Sequence, residues 1–435
     1  MTSRRRFAVV GLGGRAGLYT EALAGPYRDR AELVAFCDPN ATRMAVHNRA
    51  VTALGHPAVP TFGPDRFAEV LTGRRPDTVV VTSMDATHDG YIVAALDAGC
   101  DVITEKPMTI DAERARRILD AERASRGTVR VTFNYRYNPV HEEVKRALSA
   151  GSVGDIGSVH FEWLLDTRHG ADYFRRWHRM KANSGGLMVH KSTHHFDLVN
   201  WWLDDRPELV FGSGSLFFYG RENGERRGLA RDYERAHGSA AAADDPFAIR
   251  LAENDTLREL YLDAEGDDGY HRDQNVFAPG ITIEDDMAVL VRYSRGATMS
   301  YHLTAYSPWE GYRVAFNGSR GRLELIVHEN RWARRPQTDG THGIHGAQAE
   351  QDARATLTLH PHWEPPQTLL DSPIGHGHGG GDARMLADLL TPDPTDPLGR
   401  SAGGPDGAWS LVTGLAANRS FETGLPVTAK EILDL

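Results

Sequence analysis

The sequence predicts a two-part α/β protein: a doubly wound parallel sheet first, then an α+β region built on a large open, mostly antiparallel sheet. Three observations carry this. Short apolar runs alternate with helical patterns up to about residue 150. A glycine-rich turn joins the first run to the first helix. Beyond about 157 the strand-like runs lengthen and succeed one another through hairpin turns. At 435 residues the chain exceeds one typical domain, and the change of style divides it into 1–135 and 136–435.

In the first part, strands are expected at 6–11, 31–37, 78–82, 101–104 and 129–133, with helices at 15–24, 40–50, 87–98 and 110–124. The run Thr78-Val79-Val80-Val81 is apolar and β-branched, as a strand buried on both faces must be. In the second part, strands are expected at 156–166, 208–219, 285–293, 297–305, 312–317 and 321–326, with Ser294-Arg295-Gly296 turning one hairpin. The charged stretch 221–275 reads as an insertion, partly helical. Segment 333–380 is rich in Gly, His and Pro and is expected to be mostly loop. Helices near 381–391 and 405–423 close the chain.

Composition narrows the function. The chain is 40% hydrophobic and 25% charged, with a net charge of −10, which argues against a nucleic-acid partner. No run approaches the roughly 18 apolar residues of a membrane span, and the start lacks a signal-peptide apolar region, so a cytoplasmic protein is expected. Cys37 and Cys100 form no C-x-x-C pair and read as buried small residues.

Chemistry begins at the first turn. Gly11, Gly13 and Ala16 satisfy G-x-G-x-x-G/A between a strand and a helix, the dinucleotide fingerprint of a Rossmann fold. The first glycine permits the tight turn, the second lets backbone approach the diphosphate, and the small third residue lets helix pack on strand. Gly14 and Arg15 complete the turn, and the helix N-terminus favours phosphate. The second strand ends at Asp38, where a carboxylate would accept from the ribose hydroxyls and repel a 2′-phosphate. NAD is therefore preferred over NADP, although Arg43 lies nearby. The loop through Thr82, Ser83 and His88 would face the nicotinamide half. Glu105 and Lys106 follow the fifth strand, at the sheet edge where ligands bind, and Pro107 fixes how the chain leaves it.

A second cluster lies in Gly185-Gly186 through Trp202. As a helix from about Gly186, its His190, Lys191, His194 and Asp197 fall three and four residues apart, so one face would present several of them. An imidazole titrating near neutrality can take a hydroxyl proton as hydride leaves the same carbon. Buried structural histidines are one rival reading; a zinc pair at His190 and His194 is another, but no H-E-x-x-H accompanies it and Lys191 would repel a cation, so no metal is expected. Upstream, the basic aromatic stretch from Arg168 through Trp177, His178 and Lys181 reads either as a solvated face or as a sugar-binding wall. His376 and His378 sit in a glycine-rich segment best read as a loop.

Taken together, these motifs resemble the Gfo/Idh/MocA family of NAD(P)-dependent sugar and polyol oxidoreductases over nearly the whole chain. Glu105-Lys106-Pro107 looks like the family's E-K-P. Asn134-Tyr135-Arg136-Tyr137-Asn138-Pro139 is similar to its N-x-R-x-x-P segment. Gly185-Gly186 with His194 and Asp197 resembles its G-G-x-L-x-D-x-G-x-H-x-x-D stretch. The resemblance implies hydride transfer between a secondary alcohol of a carbohydrate and NAD, with Lys106 on the reacting hydroxyl and His194 as acid/base. Asn134, Arg136, Arg168, Trp177, His178, Lys191 and Asp197 would contact substrate. It also implies a homodimer or homotetramer assembled through the open sheet. The alternative within the family is NAD-dependent glycoside cleavage by transient oxidation and elimination, on an anionic glycoside. One departure stands out: His190 occupies the place of the family's aspartate, and is expected to stay neutral and bind or relay.

Overall fold

The computed structural model describes residues 4–333, 353–375, 379–391 and 396–435. Its first part contains β1 (Arg5–Val10), α1 (Ala16–Ala24), β2 (Ala31–Cys37), α2 (Ala41–Ala53), β3 (Thr61–Phe62), β4 (Thr78–Val81), α3 (His88–Asp97), β5 (Asp101–Thr104), α4 (Ala112–Ala124) and β6 (Val129–Val131). The six strands are parallel in the order β3-β2-β1-β4-β5-β6. The order reverses between β1 and β4, so the ends of both strands open onto one crevice where dinucleotides bind. Val79, Val80 and Val81 are fully enclosed there, which their apolar run requires.

The second part follows with α5 (Pro139–Ser149), β7 (Ile156–Asp166), α6 (Thr167–Arg175), α7 (Leu187–His190), α8 (Thr193–Leu203), β8 (Pro207–Ser215), β9 (Asp286–Tyr293), β10 (Thr298–Ser307), β11 (Gly311–Gly318), β12 (Gly321–His328), β13 (Arg354–Pro361), β14 (Gln367–Pro373), α9 (Gly381–Leu390), α10 (Gly404–Thr423) and β15 (Val427–Thr428). Nine strands form one sheet in the order β14-β13-β12-β11-β7-β10-β9-β8-β15, antiparallel except where β10 pairs with β7. Alternate residues of these strands point into a core with α7, α8 and α10, including Phe161, Trp163, Met287, Met299 and Tyr301. The intervening stretch 221–275 is a string of short helical turns.

The structure departs from the sequence reading in two places. Within 333–380, where mostly loop is expected, the described residues include two strands, β13 and β14, that extend the sheet. The inward residues of β13, Ala355 and Leu357, alternate with Arg354, Thr356 and Thr358, a period-2 signal masked by the Gly, His and Pro around it. His376 and His378 lie outside the described residues. The stretch 186–202 is not one helix. The Ser192 amide reaches back to the Leu187 carbonyl at 2.9 Å and the His194 amide to the Lys191 carbonyl at 3.3 Å, breaking the four-residue ladder between α7 and α8.

Helix α10 joins the parts. It packs on α8 and β8, and also on α4 and β6. Gly414 makes the approach possible: a Cβ there would stand 2.4 Å from the Met188 carbonyl oxygen. Among the described residues, no helix is long and apolar enough to cross a membrane.

Candidate active site

The glycine turn is built as the fingerprint requires. Gly11 has φ +83°, and a Cβ there would lie 2.4 Å from the Ser83 backbone, so only glycine fits. Thr82 Oγ1 donates to the Gly11 carbonyl at 2.5 Å and locks the turn to the end of β4. Ala16 is fully enclosed where α1 packs down. Asp38, 5% exposed, accepts from the amides of Leu12 at 2.5 Å and Asn40 at 2.8 Å. Its oxygens keep lone pairs for ribose hydroxyls. Gly13 has no side chain to block the approach, and the Gly14 amide donates at 3.0 Å to the hydroxyl of Tyr261, from the insertion. A glycine turn at a helix start, with a carboxylate at the end of β2, is a donor and acceptor set that fits NAD.

Four of the residues expected at the cofactor, Arg15, Glu105, His88 and Ser83, are held by protein partners. The Arg15 guanidinium pairs with Glu105 at 2.6 Å and with Asp382 of α9 at 3.0 Å. Tyr19 also donates to Glu105, at 2.7 Å. Burial would push Glu105 up, but Arg15 and Tyr19 outweigh it and hold the carboxylate below its ordinary range. His88 lies 3.0 Å from both the Ser83 and Pro107 carbonyls, a strut between the ends of β4 and β5. Ser83 bonds Thr87 at 2.8 Å.

The reactive end forms where β5 meets α7. Lys106 donates from Nζ to the His190 carbonyl at 3.1 Å. Burial pulls this ammonium down to about 8; Asp85 and Glu105 resist, while Lys191 and Arg15 push it lower. A lysine titrating there acts near neutrality as a proton donor of moderate strength. His190 Nδ1 stands 2.5 Å from Asp85 Oδ2. Burial, then Lys106 and His178, hold His190 well below its ordinary value, so the imidazole is neutral. Burial also pushes the Asp85 carboxyl well above its ordinary range, against Lys106 and Arg176, so Asp85 Oδ2 and His190 Nδ1 share one proton and His190 Nε2 is left for another partner. His178 packs edge-on to His190 at 4.1 Å between ring centroids and stacks on Trp177 at 3.6 Å.

His194 and Lys191 take other protein partners, the chain breaking between the two helices. His194 stacks on Tyr135 at 4.5 Å and meets Phe133 edge-on at 6.0 Å. Lys191 Nζ stands 4.8 Å over the Trp163 ring. Its field reaches Glu310 and Glu329. Glu310 accepts from His169 Nδ1 at 2.6 Å, and His169 Nε2 lies 3.2 Å from the Tyr173 hydroxyl. Burial and the neighbouring Glu310 push Glu329 up to about 7. Among the described residues, no group of three or more His, Cys, Asp or Glu is placed to hold a metal ion.

Other expected substrate ligands are committed to structure. Arg136 makes a two-toothed ion pair with Asp197 at 2.8 and 2.6 Å, both buried, and so ties α8 to the turn before α5. Asn134 donates to Asp382 at 2.7 Å. The basic stretch is not a solvated face: Arg175 and Arg179 are buried, and Arg175, Arg176 and Arg272 converge on Asp172. Arg168 is half-buried, its amide donating to Asp166 at 2.8 Å.

Asp85, Glu310, Glu329 and Tyr261 are not among the site residues expected from the sequence, whereas His169 and Tyr173 fall within the basic aromatic stretch read as a solvated face or a sugar-binding wall. Asp85 was within reach, in the loop after β4 already placed at the nicotinamide. Glu310 and Glu329 were within reach of hairpin register. They flank a pair of strands in which Gly311 faces His328, and the Glu329 amide donates to the Glu310 carbonyl at 2.9 Å. Tyr261 had no local signal.

This geometry, a Rossmann crevice closed by the helices of an open-sheet domain, is matched by known proteins. The family model described as "Oxidoreductase family, NAD-binding Rossmann fold" matches residues 5–133, and that described as "Oxidoreductase family, C-terminal alpha/beta domain" matches 145–427. The chain belongs to the Gfo/Idh/MocA oxidoreductase family. YteT of Bacillus subtilis (strain 168), named as an oxidoreductase, is 37% identical over 443 residues, covering 99% of each chain. An inositol 2-dehydrogenase of Rubrobacter xylanophilus is 28% identical over 220 residues, 49% of this chain and 56% of its own. The WlbA dehydrogenase of Bordetella pertussis, solved with NADH and UDP-GlcNAcA, shares the fold at TM-score 0.63 and 19% identity, covering 98% of this chain and 99% of its own. As a Gfo/Idh/MocA member, the chain is an NAD-binding oxidoreductase whose relatives include inositol dehydrogenases.

Proposed function

We propose that this oxidoreductase acts on a secondary alcohol of a sugar, polyol or sugar derivative. The observation that carries the reading is Lys106, held at the end of β5 with its ammonium lowered to about 8 and aimed at the α7 backbone. NAD, when bound, takes up or gives back the hydride of the reacting carbon. Lys106 donates to the oxygen on that carbon and stabilises the charge it develops. His194 exchanges the hydroxyl proton, the role that its place in the family's motif implies, and contributes about 10²–10⁴-fold in rate. His190, neutral and oriented by Asp85, binds a substrate hydroxyl through Nε2 or relays the proton. It does not stand in for the family's aspartate. Lys191 over Trp163, with Glu310 and Glu329 nearby, offers polar groups and a ring face to the rest of a polyol. Inositols, the substrates named for several relatives, are the first compounds to try. We infer further that the open face of the nine-stranded sheet, which exposes Phe211 and Leu290, pairs subunits in a homodimer or homotetramer.

The test is a screen of inositols, sugars and aryl glycosides with the purified protein, followed by NADH absorbance and by released aglycone. NADH produced from a polyol supports the reading. Aglycone released with no net NADH, by protein that retains NAD through purification, replaces oxidation with redox-neutral cleavage. His190→Asp separates the roles on α7: lower activity is expected, and a gain would show that an acid serves better there.

A further inference from the structure

Arg43 is five residues past Asp38 in the first turn of α2, within reach of the adenosine ribose, and alone it reads as a ligand for a 2′-phosphate. The fold removes it from that task. Its Nε donates to the Leu260 carbonyl at 2.9 Å, and its Nη1 pairs with Asp268 at 2.7 Å. Both partners belong to the insertion. The rings of Tyr261 and Tyr270 enclose the guanidinium, their centroids 5.6 and 5.7 Å away. Nη2 is buried without a hydrogen bond, and Arg43 as a whole is 8% exposed. No nitrogen of this side chain is presented outward.

The same limb of the insertion seals the rest of this corner. Asn40 Nδ2 donates to the Ala264 carbonyl at 2.8 Å, the Thr42 amide donates to Asp267 at 2.8 Å, and the Tyr261 hydroxyl sits on the Gly14 amide. Asp268, whose charge acts on Asp38, and Asp267, on the Thr42 amide, thereby stand at the start of α2 with Arg43 already paired. A phosphate on the 2′-oxygen would meet the Asp38 carboxylate without the Arg43 guanidinium to offset it.

We propose that Asp268 determines cofactor specificity, holding Arg43 off the ribose and so excluding NADP. Specificity here is repulsive by construction, set by a residue 225 positions downstream of the arginine it controls. The proposal concerns the nucleotide alone and does not depend on the carbohydrate reading. A protein that binds nucleotide yet turns over no polyol would defeat that reading and leave this one measurable.

Calorimetric titration of the cofactor-free full chain with NAD⁺ and with NADP⁺ tests it, using wild type, Asp268→Ala, Asp268→Asn and Asp268→Ala/Arg43→Ala. Each single variant is expected to lower the ratio Kd(NADP⁺)/Kd(NAD⁺) by about tenfold or more, because Arg43 is released toward the phosphate. The double variant is expected to return toward the wild-type ratio. The proposal is overturned if the ratio is unchanged in a folded single variant, or if the gain survives loss of Arg43. The isosteric Asn variant keeps the test readable should Ala perturb folding.

Discussion

Replacing Lys106 by Met separates what this residue does for the reaction from what it does for the fold. The change keeps an unbranched stem and removes the charge. In the folded protein the ammonium titrates at about 8 rather than 10.5, chiefly because it is buried. At about 1.4 kcal/mol per pKa unit, holding that proton in the folded state costs on the order of 3 kcal/mol, an upper bound because the half-buried side chain retains some water. Losing the hydrogen bond to the His190 carbonyl returns about 1 kcal/mol of that. The Met variant should therefore be about 1–2 kcal/mol more stable than wild type at pH 6.5. The sign follows from proton binding. Between pH 8 and 10.5 the unfolded chain keeps a proton that the folded chain has released, so wild type gains stability as pH rises and the gap closes. Urea unfolding of both proteins at pH 6.5 and pH 10 measures it. NAD⁺ binding, followed by calorimetry, should be unchanged, while turnover of any polyol found in the screen falls by about 10²–10⁴-fold. A Met variant that is less stable than wild type at pH 6.5 and has lost NAD⁺ would refute the reasoning and make Lys106 a structural residue.

Three other perturbations test the surroundings. Gly11→Ala forces a Cβ to within 2.4 Å of Ser83 at φ +83°; NAD⁺ binding should be abolished and stability reduced by about 1–3 kcal/mol, read by calorimetry and urea. Arg136→Met leaves Asp197 buried and unpaired, which should cost about 3–5 kcal/mol, whereas Arg136→Met with Asp197→Leu should recover most of it. A raised KM at unchanged stability would instead return Arg136 to the substrate site. Glu329 holds its proton more tightly in the folded state, so its contribution is fully present below about pH 4.5 and is lost as pH rises through 7. Glu329→Gln should match wild type in thermal melts near pH 4.5 and exceed it above pH 7.

Much of the fold was legible because it is encoded locally. The alternation of β-branched runs and helices, the glycine turn, Asp38 and Lys106 all lie within single strand–turn–helix units, and the structure places them as read. What was missed depends on distance. Nothing near Tyr261 or Asp268 announces that they close on α2. The break at Lys191 and Ser192 is a matter of backbone bonding that side-chain spacing does not reveal. Around it, His190 turns to Asp85, Lys191 to Trp163, His194 to Tyr135 and Asp197 to Arg136, so four residues expected on one face serve four different partners. β13 and β14 were hidden by composition, although the alternation of β13 was present.

The outer strand of the dinucleotide sheet is finished by the far end of the chain. The Val131 amide donates to the Ala402 carbonyl at 3.0 Å, and Arg130 bridges to Gly403. On the ribosome, β6 thus leaves the exit tunnel with an open edge, and its partner follows roughly 270 residues later. At about 5–20 residues per second, that delay is on the order of 15–55 s. An unpaired strand edge is a template for pairing with other chains. Slowed elongation, or truncation before Ala402, should therefore shift newly made protein toward aggregates rather than leave a free-standing nucleotide-binding half.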